Sequence, residues 1–293
     1  MEPFLSDLLE VLELERLEIN IFRGVSRDIG SPQVFGGQVL GQGLRAAYAT
    51  VDADRTAHSL HAYFLRRGDV NAPIVYFVDR SRDGHSFTSR RVTAIQHGEQ
   101  IFHMAASFQT EQPGMEHQTM MPDVPAPESL PVASLISQVS LDAFPEKTRE
   151  FVSFARPFEF RIAEPEVGHP ADELPVQNFW IRTVDKMPDD DALHRCLLAY
   201  VSDIYLLHTA TLPHAQLFKH GRPFLASIDH AMWFHRSMRV DEWFLCSNFS
   251  PSSSGSRGFA RGTVYSRDGR LVASTAQEGL VRIIESPPAK PAG

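Results

Sequence analysis

"ASIDHAMWFHR", Ala226 to Arg236, has the apolar content of a β-strand, yet it carries Ser227, Asp229, His230 and His235. A second segment has the same cast: "HSLHAYFLRR", His58 to Arg67. Around this earlier segment, periodicity predicts an amphipathic helix near 3–15, from Leu5, Leu8, Leu9 and Leu12, and a strand near 19–26. Gly36 and Gly37 then open a helical run of small and aliphatic residues to about 51. Strands are predicted near 57–66, 73–81, 86–97 and 100–110, separated by turn signals such as "RDG" and "HGE". The result is one helix followed by an antiparallel meander.

Segment 111–131 breaks this pattern with Pro113, Pro122, Pro125, Pro127 and Pro131, so it reads as a linker. Beyond it the same order returns: a helix near 132–152, strands near 154–163 and 176–184, a helix near 190–210, and strands near 223–236, 241–250, 257–267 and 270–283. The chain therefore reads as two repeats, 1–110 and 132–293, the second with an extra helix at its start. Matching His61 with His230 sets the repeats 169 positions apart, while Arg90 with Arg261 and Gly98 with Gly269 give 171, the difference falling in "SPSSSGS". Ala49 and Ala210 align the helix ends "YATV" and "TATL". On these offsets Asp203 pairs with Gln42, Ser227 with His58 and Gln277 with Ala106, so the first repeat lacks the carboxylate and the amide.

Composition narrows the function. With 293 residues and 43% hydrophobic content the chain can bury one large core or two fused ones. A formal charge of −8 argues against a nucleic-acid binder, which needs a basic footprint. No apolar run approaches the roughly 18 residues that span a bilayer, and the acidic "MEPFLSDLLEVLELE" is neither a signal nor a transit peptide. Cys196 and Cys246, without metal-type spacing, read as buried thiols in a reducing compartment, so the expected location is the cytoplasm. No HExxH, cysteine cluster or phosphate loop implies a metal or an organic cofactor.

A sheet curled around one long helix, twice over, is an α+β double hotdog. The segments "QVFGGQVLGQ", "HSLHAYFLRRGD", "RDGHSFTSRRVTAIQ", "ASIDHAMWFHR" and "GRLVASTAQEG" resemble the acyl-CoA thioesterase II family in the same order over nearly the whole chain. The resemblance implies hydrolysis of medium- to long-chain fatty acyl-CoA by a water held between an aspartate on the second helix, a hydroxyl on the following strand and a late glutamine. Those positions match Asp203, Ser227 and Gln277. The family pattern often has threonine where this chain has Ser227; the hydroxyl is kept. A homo-oligomer, dimer or tetramer, is expected by the same resemblance.

Taken without the resemblance, these residues leave alternatives open. Asp203 shares an apolar helical face with Cys196, Ala199, Tyr200, Leu206 and Leu207, where an unpaired charge is costly and a structural aspartate bonds backbone amides instead. Ser227 opens a strand, where a hydroxyl is ordinary, and a strand glutamine is most often solvated. Thioester hydrolysis asks for an oriented water, an acceptor for its proton and donors for the oxyanion; Asp203 can accept, Ser227 and Gln277 can position, and the glycine-opened helix at Gly36 and Gly37 is a candidate donor unless those glycines serve only close packing. A serine hydrolase is disfavoured: there is no GxSxG elbow, and alternation puts His230 on the face opposite Ser227. His58 is a candidate base in the first repeat. Asp203 and His208 have the spacing of a hotdog enoyl-CoA hydratase, but on a continuous helix five residues turn the side chains apart. A non-catalytic acyl-CoA binding module is the remaining alternative.

Overall fold

The strands follow from alternation. Between residues 87 and 96, Thr88, Arg90, Val92 and Ala94 are buried while Phe87 and Arg91 face solvent, the period of two that a sheet with one covered face imposes. The computed structural model describes residues 3–29, 31, 33–132, 157–163, 175–219 and 221–285. In chain order the elements are α1 (Pro3–Leu12), β1 (Glu15–Glu18), β2 (Ile21–Gly24), α2 (Gly36–Tyr48), β3 (Thr56–Phe64), β4 (Ile74–Asp83), β5 (Phe87–Gln96) and β6 (Glu99–Gln109). Then come β7 (Phe158–Ile162), β8 (Val176–Thr183), α3 (Asp191–Ser202), β9 (Gly221–Ser227), β10 (Asp229–Phe234), β11 (Phe244–Ser254), β12 (Arg257–Ser266) and β13 (Leu271–Glu285).

Among the described residues the strands form one antiparallel sheet in the order β1-β2-β4-β5-β6-β3-β10-β13-β12-β11-β8-β7, with β9 paired to β13. The two halves meet where β3 lies against β10, Leu60 opposite Met232 and Tyr63 opposite Asp229. Each half curls around one helix, which is the double hotdog arrangement. Buried Leu40, Leu44, Leu60, Phe102, Leu197 and Met232 belong to one continuous core, each large aliphatic or aromatic side chain stabilising by roughly 1.5–3 kcal/mol.

The helices run antiparallel in close contact, and glycine makes this possible. A methyl group built on Gly37 would fall 2.1 Å from the Tyr200 carbonyl oxygen, and one on Gly41 3.2 Å from that of Cys196. At Gly37 only a residue without a side chain fits such an approach, and at Gly41 the contact is tight.

The structure departs from the sequence expectations at the second helix and the strand after it. The helix expected near 190–210 ends at Ser202, and Tyr205, three residues on, turns left-handed (φ 65°) so that the chain does not resume the helix. A 3₁₀ segment, Leu207–Lys219, follows with Pro213 inside it, and Thr209 and Thr211 bond back to the carbonyls of Tyr205 and His208. Asp203 and His208 thus do not share a continuous helix. The single strand expected near 223–236 is two strands, so Ser227 closes β9 rather than opening the strand that holds His230.

The repeat register shifts as well. His61 faces solvent while His230 is buried, and Arg90 is buried while Arg261 is exposed, so neither pair is equivalent. A one-residue slip moves a side chain to the other face. Burial instead matches Arg91 with Arg261 and Leu60 with His230. Gly98 and Gly269 do occupy matching turns, with φ of 78° and 85°.

Segment 111–131 holds no helix or strand apart from one 3₁₀ turn, Pro127–Ser129, and it straps the second half. Gln118 donates to the Gly269 carbonyl (2.8 Å) and accepts from Leu271 N (3.1 Å), while the Trp180 indole donates to the Pro125 carbonyl (2.9 Å). Trp180, Trp243, Leu245 and Tyr265 form a small core beneath it with Met121, Val124 and Leu130. The helix expected near 132–152 falls, from residue 133 on, outside the described residues.

Candidate active site

Asp203 is the C-terminal cap of α3, directly after Ser202, and the helix stop just described keeps its side chain at the junction of α3, β9 and β13. Ser227 sits at the last position of β9, opposite Gly279 of β13, two residues along from Gln277. The three side chains named from the sequence meet. Gln277 Nε2 donates to Asp203 Oδ1 (2.6 Å) and to Ser227 Oγ (3.0 Å), and Ser227 Oγ donates to Asp203 Oδ1 (3.3 Å). Gln277 is fully buried rather than solvated. Two donors thus converge on Oδ1, and Oδ2 points toward the start of α2, where a methyl built on Gly36 would lie 2.7 Å from it.

That helix start is open. Phe35 occupies the cap position without a side-chain cap bond, and the Gly36 and Gly37 N–H groups have no acceptor among the described residues. Exposed N–H groups at a helix N-terminus attract negative charge. Gly36 and Ser227 line a cavity of about 280 Å³, whose apolar wall includes Val34, Val39, Phe64 and Phe102 and whose rim carries Arg66 and Arg67.

His230, set aside on sequence grounds, belongs to this site. The break at Ile228 resets the alternation, so Ser227 and His230 both face inward; its Nε2 lies 3.0 Å from Ser202 Oγ. The signal was Asp229, whose carboxylate accepts from Glu278 N (2.7 Å) and so competes with the regular ladder. Burial holds the His230 imidazole below its ordinary pKa, opposed by the nearby Asp203 charge. His58 lies elsewhere, bonded to Ser107 Oγ at 2.8 Å and set edge-on against Phe87, away from the Asp203 cluster.

The other half holds a mirrored place with different residues. Ala57 pairs with Phe108 of β6 as Ser227 pairs with Gly279 of β13, and Ala106 sits two residues before Phe108 as Gln277 sits two before Gly279. A bulge between Ala57 and Ser59 makes Ala57, not His58, the counterpart of Ser227. Tyr48, the last residue of α2, accepts from Ala57 N at 2.9 Å and stands where Asp203 stands. Gln42 is not the counterpart: it is buried, with Nε2 donating to the carbonyls of Val11 and Val25 and Oε1 accepting from Tyr76 Oη. The helix start here is closed, since Asp190 caps α3 through Leu193 N (3.1 Å). Tyr48→Phe is expected to destabilise the protein by about 1 kcal/mol through the lost hydrogen bond and to leave turnover intact. Urea unfolding and an activity assay check both, and a loss of turnover would place chemistry in this half.

Residues 148–280 match the family model for acyl-CoA thioesterase and residues 25–109 that for the acyl-CoA thioesterase N-terminal domain. The chain is 41% identical to acyl-CoA thioesterase 2 of Haemophilus influenzae over 97% of its length and all of the relative's. It is also 41% identical to acyl-coenzyme A thioesterase 8 of Homo sapiens, over 93% of this chain and 88% of that one. Among solved structures it resembles acyl-CoA thioesterase II TesB2 from Mycobacterium marinum, at 43% identity and a TM-score of 0.79 over 94% of this chain and 98% of the other.

Proposed function

The chain belongs to the acyl-CoA thioesterase family, and from that premise we propose that Asp203, Ser227 and Gln277 hold the water with which it hydrolyses acyl-CoA thioesters. The enoyl-CoA hydratase and binding-module readings are not favoured. The observation that carries the site assignment is the convergence of Gln277 and Ser227 on Asp203 Oδ1 beside the cavity. With Oδ1 so occupied, Oδ2 is the atom that accepts the water proton as the water oxygen attacks the thioester carbon. The oxyanion is held by the Gly36 and Gly37 N–H groups at the open start of α2. Collapse breaks the carbon–sulfur bond, and the departing CoA thiolate takes up the proton held by Asp203. The products are a free carboxylic acid and CoA; no covalent acyl-enzyme forms.

The apolar cavity wall fits medium- to long-chain fatty acyl groups as substrates. We take residues 1–110 and 132–293 as two hotdog repeats joined by the strap at 111–131, the protein as cytoplasmic, and its working form as a homo-oligomer. Among the described residues no helix is long and apolar enough to cross a membrane. The test is release of free thiol from acyl-CoAs of graded chain length, comparing the wild type with His58→Ala. Release that peaks on medium or long chains and survives the His58 substitution is expected. No release from any chain length would overturn the assignment, and loss with His58→Ala would move the centre into the first half.

A further inference from the structure

His230 is 1% exposed, and its Nε2 lies 3.0 Å from Ser202 Oγ, a hydrogen bond whose direction depends on where the single hydroxyl proton goes. Ser202 Oγ donates its single proton to the Ala199 carbonyl at 2.9 Å, so toward the ring it can only accept. With the Ser202 proton committed to Ala199, the neutral imidazole is the tautomer protonated at Nε2, with a bare lone pair at Nδ1. That Nδ1 has no partner among the described residues, and neither has Gln277 Oε1. The two side chains are inward neighbours across the β10–β13 ladder, one step before the Ala231–Ala276 pair. Two buried acceptors left without a donor would cost about 1–3 kcal/mol each. One water donating a proton to each is the smallest group that satisfies both.

The orientation of the Gln277 amide decides what Asp203 meets. As it stands, Nε2 faces Asp203 Oδ1 and Ser227 Oγ. Turned over, Oε1 would face the Asp203 carboxylate, acceptor against acceptor. A donor fixed on the Oε1 side prevents the turn.

We propose that His230 is a positioning residue for thioester hydrolysis: anchored by Ser202, it holds through one buried water the Gln277 amide in the orientation that presents Nε2 to Asp203 and Ser227. This role rests on the water-based reading of the Asp203 site. It also explains why a strand in the core carries a buried histidine opposite Ala62 of β3, where an apolar residue would pack without a hydrogen-bonding requirement.

The experiment measures kcat and KM for thiol release from an acyl-CoA, together with melting temperature, for full-length His230→Ala, His230→Asn, Ser202→Ala and Asp203→Asn. Misplacing a catalytic group by a fraction of an ångström lowers kcat by about 10- to 100-fold, and that loss is expected for His230→Ala with KM within about twofold. His230→Asn, which returns a polar atom near the Nδ1 position, should recover most of kcat, and Ser202→Ala should fall between. Should His230→Ala not fold, His230→Asn and Ser202→Ala carry the test: wild-type kcat in Ser202→Ala, or a deep loss in His230→Asn, overturns the role. So does a folded His230→Ala with wild-type kcat, a loss confined to KM or melting temperature, or no recovery with Asn. Near-normal turnover by Asp203→Asn would instead remove the reading of the site on which the role rests.

Discussion

Asp203→Asn is expected to lower kcat for acyl-CoA hydrolysis by about 1,000-fold, within the range a positioned general base supplies, with the fold unchanged. The substitution is nearly isosteric. Its Oδ1 still accepts from Gln277 and Ser227, so the cluster that positions the water persists, but an amide nitrogen replaces Oδ2 and cannot take a proton. The loss should therefore fall on kcat, with KM close to wild type. Thiol release under saturating substrate and a thermal melt separate the two effects, and a kcat within about tenfold of wild type would remove Asp203 from the role of base.

Adding one methyl group at each of two adjacent glycines is expected to give opposite failures. At Gly37 the new methyl would meet the Tyr200 backbone carbonyl at 2.1 Å and the Phe35 ring at 2.4 Å. Backbone cannot rotate away, so α2 and α3 must separate, and Gly37→Ala should destabilise the protein by about 3 kcal/mol. At Gly36 the methyl meets Asp203 Oδ2 at 2.7 Å, the far end of a side chain, which can swing aside. Gly36→Ala should then keep stability to about 1 kcal/mol while lowering kcat by about 100-fold, because the displaced carboxylate no longer faces the water. Urea unfolding alongside thiol release checks the contrast. Full activity in Gly36→Ala would show that the approach of Asp203 to the helix start has no bearing on turnover.

Much of the fold was legible because apolar alternation and turn glycines carry it: the strands of β3 to β6 and β11 to β13 sit within a few residues of where periodicity puts them. Register was not legible. Matching histidine to histidine and arginine to arginine selects residues by kind, and a strand shifted by one residue keeps its composition while exchanging its faces. The breaks were the other loss. Nothing in "YVSDIYLLHTATL" is a glycine or asparagine of the sort that ordinarily takes a left-handed turn, yet Tyr205 takes it. The break at Ile228 had a signal in Asp229, and missing it turned His230 to the wrong face. Asp203, Ser227 and Gln277 were named through resemblance rather than spacing, since contacts across 24 to 74 residues leave no period to read.

The two helix starts now have a meaning beyond their local bonds. In a dimer of identical subunits every substitution appears twice, so a helix end left bare for chemistry in one place is bare in both. A single chain that carries both halves escapes that constraint. Here Asp190 secures the start of α3 with a carboxylate, while α2 begins at Phe35 with no such cap. Joining the halves lets one site, where α3 starts, hold the molecule together while the other, where α2 starts beside Asp203, serves the proposed chemistry. Redesigning the capped start of α3 for stability is therefore open in a way that the same change in a dimer of identical subunits would not be.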